Sequence, residues 1–277
     1  TNCCMQELLD CADHIILEVN KTMPTIYGLR NDHIHLSQVD YVVENDSPIG
    51  TVPNRAPSEL DVKIASMIFP RLYDGITLQL GIGGMPNALG TLIAESDLKD
   101  LGMHTELMSD GYLKLYRAGK ITNKKKNIDR GKGVFSICNG SRELYDFLDR
   151  NQDILSAPMC YVNDPETIRQ LDHFVSINGC VACDLYGQVA SESSGIRHIS
   201  GTGGQLDFAT GAYTAEHGQA FLAMPSTHTD KQGVMHSNIL PYFTRGDIIT
   251  TPRSQVMNVV TEYGIAELPG IPTWQRA

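Results

Sequence analysis

No run of about 18 apolar residues occurs in the 277-residue sequence, and this absence predicts a chain without a membrane-spanning helix. The first ten residues also lack the basic and then apolar layout of a secretory signal peptide. We therefore expect a cytoplasmic protein with no membrane partner. Its length suits one large domain or two smaller ones.

Basic residues are scarce, since 22 Lys and Arg stand against 32 Asp and Glu and the formal net charge is −10. Proteins that bind nucleic acid usually carry a basic face or domain, so nucleic acid is not expected as a partner. A phosphorylated small molecule is still compatible with this balance.

One basic run is interpreted as a solvated loop, with contact to phosphates or to a neighbouring subunit as the alternative. It consists of Lys120, Lys124, Lys125, Lys126, Arg130 and Lys132.

The cysteine and histidine patterns indicate neither a disulfide framework nor a metal centre. Seven cysteines, an odd number, are scattered through a long chain, which is typical of reduced cytosolic thiols. Cys180 and Cys183 form a C-x-x-C pair, but no second pair lies at zinc-like spacing, so a redox or metal role is the minor alternative. Four histidines also lack a third ligand at compatible spacing. These are His33, His35, His228 and His236.

Alternating strand and helix patterns predict an α/β fold with a mostly parallel sheet. Three prolines and a glycine within residues 45–57 indicate a linker, and we place a domain boundary after residue 54. Ser58 and Asp61 have the spacing of an N-cap and its reciprocal partner, ahead of a helix with one apolar face. That face carries Leu60, Ile64, Met67 and Ile68. Strands are predicted at 14–19, 33–43, 77–80, 104–108, 133–138, 173–178, 181–190, 219–224, 247–250 and 256–261. Helices are predicted at 5–18 (running into the first strand), 87–95, 110–118, 140–149, 164–171 and 205–213.

Two glycine-rich turns have the pattern of strand, glycines and helix. In residues 78–89, LQLGIGGMPNAL, a buried strand leads into glycines and then a helix, which exposes backbone N–H groups at a helix N-terminus. The dinucleotide pattern G-x-G-x-x-G fails because its sixth position is Pro86. In residues 201–208, GTGGQLDF, the same arrangement recurs. Either turn could be a plain connection, but together they suggest an acyl or phosphate group held between backbone amides.

Glu106 in Met103–Gly111, MHTELMSDG, is the first candidate nucleophile. A carboxylate in water attacks a thioester poorly, whereas a desolvated one beside oxyanion donors is far more reactive. Without further context, a glutamate on a strand is more often a surface residue. Glu192, close to the second glycine turn, is the rival carboxylate, although a role in shaping the site is favoured for it. Glu262 is interpreted as structural.

Blocks in a fixed order resemble the class I CoA-transferases, specifically the acetyl-CoA hydrolase/transferase family and its branch for butyryl-CoA:acetate and 4-hydroxybutyrate CoA transfer. They are HIHLSQVDYVVE, LGIGGMPNALG, HTELMSDG, AGKITNKKKNIDRGK, YVNDPETI, QVASESSGIRHISGTGGQLDF, TTPRSQ and VVTEYGIAEL. The resemblance covers nearly the whole chain. It implies the CoA-transferase fold, a mostly parallel sheet flanked by helices, with a truncated first α/β domain in residues 1–54 and the catalytic second domain in 55–277.

The resemblance also implies the site. Glu106 matches the nucleophile that carries coenzyme A as a glutamyl thioester. The loop Gly81–Met85 (Gly81, Ile82, Gly83, Gly84 and Met85) matches a CoA contact, with an oxyanion N–H from Ile82 or Gly83. Gly203 and Gly204 match a second backbone contact, and a further contact is expected within 178–181, assigned to Val181. One departure is that Ala266–Gly270 lacks the basic residue that usually precedes glycine there.

We therefore expect transfer of CoA between a short-chain acyl-CoA (butyryl- or 4-hydroxybutyryl-CoA) and a carboxylate such as acetate, with ping-pong kinetics. The resemblance implies a homo-oligomer that uses coenzyme A as a substrate and holds no permanent cofactor. Two alternatives remain open: an acyl-CoA hydrolase on the same scaffold, and a non-catalytic CoA- or nucleotide-binding module. Both ends of the sequence look interrupted, which suggests a piece of a longer polypeptide.

Overall fold

A computed structural model describes residues 2–29, 31–52 and 56–276. The domain boundary predicted after residue 54 lies outside these residues. Strands, numbered in chain order, are β1 Ile16–Val19, β2 Tyr41–Glu44, β3 Thr77–Leu80, β4 Gly102–Met108, β5 Gly133–Cys138, β6 Ile154–Ser156, β7 Phe174–Gly179, β8 Ala182–Asp184, β9 Val189–Ala190, β10 Ser193–Ser194, β11 Arg197–His198, β12 Gln219–Ala223, β13 Thr227–Thr229, β14 Met235–Ser237, β15 Ile239–Leu240, β16 Asn258–Thr261 and β17 Gly264–Glu267.

Among the described residues the α-helices are fewer than the strands. They are α1 Met5–Cys11, α2 Glu59–Ile68, α3 Gly84–Glu95, α4 Asp110–Arg117, α5 Arg142–Leu148, α6 Met159–Val162, α7 Pro165–Ile168 and α8 Gln205–Thr214. Within the described residues no helix has both the length and the apolar character needed to cross a bilayer.

The main sheet has eight strands in the order β17-β16-β12-β7-β3-β4-β5-β6. Every pairing is parallel except that of β16 with β17, so the predicted mostly parallel α/β sheet is confirmed. From β3 the chain first builds outward through β4, β5 and β6, then returns to place β7 on the other side of β3. Ligands of open α/β sheets bind at such a switch point, beyond the carboxyl ends of the strands.

Both faces of the sheet are covered, as parallel strands require. Successive residues of β7 show this, because Phe174 packs into one core cluster and Val175 into the other. The cluster that contains Val175 includes α2, α3 and α4, and the cluster that contains Phe174 includes α8. The region 2–52 contributes a separate parallel pair, β1 with β2, and Leu29 N donates to Ser156 O beside β6 (2.8 Å).

The capping box at the start of α2 is confirmed, since Ser58 and Asp61 exchange hydrogen bonds in both directions. The predicted apolar face is only partly right. Ile64 and Ile68 are buried, but Leu60 is exposed because it lies in the first turn, beyond the edge of the core.

Several predicted elements are wrong. The single strand predicted at 181–190 is an antiparallel pair, β8 with β9, whose connection includes Gly187 with φ of 87°. The helix predicted at 5–18 ends at Cys11. In place of a strand over 33–43, His35 caps a short 3-10 helix, Leu36–Gln38, and the strand begins only at Tyr41. The alternating pattern there lines no buried face. Residues 247–250 are not a strand, because the Asp247 carboxylate accepts N–H groups from Gly195 and Thr244 and fixes a turn. The helix predicted at 164–171 shrinks to α7.

Candidate active site

Glu106 lies near the carboxyl end of β4, beside the switch point of the sheet. Its side chain is half-buried and accepts a hydrogen bond from Asn163, with 2.7 Å between Asn163 Nδ2 and Glu106 Oε2. Asn163 is the residue that ends α6, and it is buried. The carboxylate is therefore held in one orientation by a donor from another element.

Two cavities meet at Glu106. The first, of about 330 Å³, lies over the carboxyl ends of β3, β4 and β7. Its lining brings together parts of both glycine turns and the carboxylate: Gln79, Leu80, Gly81, Ile82, Glu106, Leu107, Asn178, Gly179, Ser191, Glu192, Ser200, Gly201, Gly203, Gly204, Gln205, Phe208 and Thr250. One cavity thus brings parts of both glycine turns together with Glu106.

The second cavity, of about 490 Å³, also reaches the Glu106 carboxylate. It is lined by Glu106, Met159, Cys160, Asn163, Asp164, Pro165, Thr202, Gly203, Gly204 and Asp207. Because Glu106, Gly203 and Gly204 line both cavities, these residues form the wall between them. A group in either cavity can therefore approach the same carboxylate.

The second glycine turn touches Glu106 directly. Gly204 is the N-cap of α8, and a Cβ atom built on it would lie 2.0 Å from Glu106 Oε2 and 2.5 Å from Asn163 Nδ2. Only glycine lets the backbone approach the carboxylate this closely. The N-terminus of α8, with its positive dipole end, consequently lies against the Glu106 carboxylate.

The first glycine turn divides into exposed and packed halves. Gly81 N already donates to Ile177 O at 2.8 Å, so it is not an oxyanion donor. Within the described residues, the N–H groups of Ile82 and Gly83 have no protein acceptor, and Gly83 has φ of 118°. The resemblance placed an oxyanion donor at Ile82 or Gly83, and that role stays a prediction.

Four predicted CoA contacts lie outside both cavity linings: Gly83, Gly84, Met85 and Val181. Gly84 packs on α2, where a Cβ atom would come 2.2 Å from Asp61 Oδ2. Met85 is buried in the core. Val181 follows β7, and its N–H donates to Ala190 O at 2.9 Å, while Asn178 and Gly179 of the same stretch do line the first cavity.

A buried polar network forms the floor of the first cavity, and sequence patterns gave no sign of it. Gln79 Oε1 accepts from Ser176 Oγ (2.7 Å) and from Asn178 Nδ2 (3.0 Å), and Gln79 Nε2 donates to Asn178 Oδ1 (3.0 Å). The network joins β3 to β7 at the switch point. Because every bond is between buried groups, it fixes the strand ends that carry the first glycine turn.

Glu192 lies in the first cavity but makes a different set of contacts. Its carboxylate is buried and accepts from Thr202 Oγ1 at 3.1 Å, and its carbonyl accepts from Ile199 N at 2.8 Å. These bonds hold the loop that leads to Gly204. Glu262 is remote from both linings and accepts from Ser226 N and Oγ, as expected of a structural residue.

The second cavity is acidic. Burial, and next the charge of Glu106, raise the pKa of the Asp207 carboxyl above its usual range. Burial also raises the pKa of Cys3, and the negative charge of Glu106 adds to this rise.

The cysteine, histidine and lysine candidates are not part of the site. Burial raises the pKa of Cys183 to about 12, and that of Cys180 also rises, so neither is a ready thiolate. His228 and His236 stack across β13 and β14, and the described residues contain no group of three metal ligands. The solvated-loop interpretation is wrong for Lys126, which is buried and donates to Met103 O (3.1 Å) and Lys132 O (2.8 Å).

Family models match two parts of the chain: the acetyl-CoA hydrolase/transferase N-terminal domain at residues 1–53 and the C-terminal domain at residues 140–277. Over 277 residues, all of this chain, it is 50% identical to the probable butyrate:acetyl-CoA coenzyme A-transferase of Syntrophomonas wolfei subsp. wolfei. Over 272 residues, 98% of the chain, it is 47% identical to the butyryl-CoA:acetate CoA-transferase of Anaerostipes caccae. The chain covers 61% of each of these proteins, about three fifths of their length.

The fold also matches a solved structure, the 4-hydroxybutyrate CoA-transferase of Porphyromonas gingivalis. The TM-score is 0.83 at 39% identity, and the match covers 98% of this chain and 63% of that one.

Proposed function

Because this chain belongs to the acetyl-CoA hydrolase/transferase family, we propose that it transfers coenzyme A between a short-chain acyl-CoA and a carboxylate such as acetate. Butyryl-CoA and 4-hydroxybutyryl-CoA are the proposed donors, in line with the names of its relatives. One observation carries the proposal: the Glu106 carboxylate lies between two cavities, held by Asn163 and by the close approach of Gly204.

The first step is attack on the thioester. A Glu106 oxygen bonds to the acyl carbon, the carbon–sulfur bond breaks, and the products are an acyl-glutamyl anhydride and CoA thiolate. Negative charge develops on the acyl oxygen in the tetrahedral state. The N–H groups of Ile82 and Gly83 are the proposed donors to this oxygen. They have no acceptor among the described residues, and a donor that is already paired within the protein loses most of its value.

The second step takes place at Glu106 itself. The thiolate attacks the glutamyl carbon, the carbon–oxygen bond to the acyl group breaks, and the free acid leaves a glutamyl-CoA thioester. In the tetrahedral state that precedes this thioester, negative charge develops on the remaining glutamate oxygen. Asn163 Nδ2, 2.7 Å from Oε2, is already placed to donate to it. An acceptor carboxylate then reverses both steps.

Covalent trapping tests the proposal in the full polypeptide that carries this chain. After incubation with butyryl-CoA, hydroxylamine should convert the glutamyl thioester at residue 106 to a hydroxamate. In a separate sample, borohydride should reduce the same thioester to an alcohol. Both products are detected in the peptide that contains residue 106. Glu106→Gln should abolish the label and the transfer. Glu192→Gln is the matched control, because it removes a carboxylate of the same cavity and should leave Glu106 labelled.

Acceptor dependence separates transfer from hydrolysis. CoA transfer predicts that acetyl-CoA accumulates with acetate and that free thiol stays low. Thiol release that is undiminished without acetate would instead assign the protein as a hydrolase. A label on Glu192, or none on either residue, would overturn the nucleophile assignment.

Homo-oligomeric assembly, a cytoplasmic location and attachment of CoA only during turnover belong to the same proposal. They rest on the family membership and on the sequence. Sedimentation analysis of the full polypeptide tests the first, and the trapping experiment tests the last.

A further inference from the structure

His104 and Glu106 are two residues apart on β4, so their side chains leave the same face of the sheet. His104 is fully buried, with Phe174 edge-on to its ring at a centroid distance of 6.2 Å. Glu106 lies one step further along the strand, where the face opens into the cavities. A buried imidazole thus stands directly behind the reactive carboxylate.

The imidazole makes one hydrogen bond, between His104 Nε2 and Val162 O at 2.8 Å. Burial, and next the charge of Lys126, lower the pKa of His104 to about 3, so the ring is neutral at working pH. A carbonyl only accepts, and therefore the single proton of the neutral ring is on Nε2. Nδ1 is buried and has no partner within the described residues.

Val162 is the residue before Asn163. The contacts therefore close a ring: His104 holds the Val162 carbonyl, Asn163 follows it, and Asn163 Nδ2 donates to Glu106 Oε2. The strand completes the ring from Glu106 back to His104. The end of α6 is also held by Val162 N donating to Pro158 O (3.0 Å) and by Asn163 N donating to Met159 O (2.9 Å), so the His104 bond adds a contact from the sheet to those of the helix itself.

We propose that His104 is a positioning residue for CoA transfer: by anchoring Val162 it sets the position from which Asn163 donates to Glu106. The inference rests on the proposed function, because it needs Glu106 as nucleophile and Asn163 as donor. An apolar side chain would fill the same space and leave no buried nitrogen unpaired, but it would take away the donor to the Val162 carbonyl. The anchoring role explains why a hydrogen-bonding ring occupies this buried position.

His104→Leu removes the hydrogen bond while keeping an apolar side chain in the core. We expect kcat to fall roughly tenfold, as for a displacement of well under 1 Å, with KM for acyl-CoA changed less than about twofold. His104→Gln keeps an amide donor near the place of Nε2 and should restore most of kcat. Tyr116→Phe is the control, since it removes a buried hydrogen bond to Asn123 at the opposite end of the sheet and should leave kcat unchanged.

A double-mutant cycle shows whether the effect runs through Asn163. In the Asn163→Ala background, His104→Leu should slow glutamyl labelling by less than about twofold, because the donor it positions is gone. The same fold loss in both backgrounds, or an unchanged kcat in folded His104→Leu, would overturn the inference. Absence of any label on wild-type Glu106 would instead overturn the proposed function, so the two failures are distinct.

Discussion

Gly204 and Glu106 are in such close contact that a methyl group on Gly204 would lie 2.0 Å from the carboxylate oxygen Oε2. Neither partner has room to move freely, because Asn163 occupies the same corner and Phe208 Cε2 would lie 3.0 Å from that methyl. The backbone of the second glycine turn thus limits where the Glu106 carboxylate can lie.

Gly204→Ala should abolish most CoA transfer while the protein remains folded. The added methyl forces the carboxylate away from Asn163 Nδ2, and a displacement of about 1 Å from the reacting geometry costs on the order of 100-fold in rate. Steady-state transfer and circular dichroism measure the two effects. Gly90→Ala is the control, because its Cβ would meet Gly111 at an ordinary 3.7 Å. Equal activity of both variants would contradict the tight contact.

Asn163→Ala should lower kcat about 100- to 1000-fold, the usual cost of losing one oxyanion donor. KM for acyl-CoA should change little, since the bond stabilises a state that forms after binding. Asn163→Asp should be at least as slow, because it places a second carboxylate against Glu106. Rapid-quench measurement of the glutamyl thioester checks the step directly. A thioester that forms at the wild-type rate would show that Oε2 carries no developing charge.

The sequence allowed prediction of those site features that are local in the chain. Each glycine turn follows its own strand and precedes its own helix, so strand, turn and helix can be inferred from about a dozen residues. Glu106 became a candidate nucleophile through the ordered family blocks and not through its own surroundings. Its role stays a prediction, while its placement between the two turns is observed.

Contacts between distant segments escaped prediction. Asn163 is 57 residues from Glu106, and nothing in YVNDPETI marks its amide as the partner of that carboxylate. The Gln79 network depends on the β3–β7 register, which no pattern within either strand reveals. The strand predicted at 33–43 failed for the opposite reason, since alternation predicts a strand only when one face becomes buried.

Asp207→Asn should stabilise the protein at neutral pH. The pKa of Asp207 is raised, so the folded state holds this proton more tightly than the unfolded state does. Stability therefore falls as pH rises from the ordinary value of 3.8 through the raised pKa, and the loss is complete above it. Melting temperatures at pH 3 and pH 7 should show the variant's advantage only at pH 7. An equal shift at both values would assign the gain to packing instead.

Lys126 should make stability rise with pH above neutrality. Burial lowers its pKa from 10.5 to about 8, so between these values the unfolded chain binds a proton that the folded chain does not. The penalty is fully present below pH 8 and is relieved by pH 10.5, amounting to at most about 3 kcal/mol. In Lys126→Met this pH dependence should disappear from denaturant unfolding curves. An unchanged slope would show that Lys126 is solvated in the folded protein.

Oxygen-18 should pass from the acceptor carboxylate to the released acid by way of Glu106. In the anhydride mechanism the leaving acid takes one oxygen from Glu106, and the acceptor replaces it when the second anhydride breaks down. With doubly labelled acetate and butyryl-CoA, butyrate from the first turnover is unlabelled and later butyrate carries one label. Asn163, bonded to Oε2, favours Oε1 as the oxygen that is exchanged. Mass spectrometry of butyrate over successive turnovers measures this, and acetyl-CoA formation without labelled butyrate would rule out the glutamyl route.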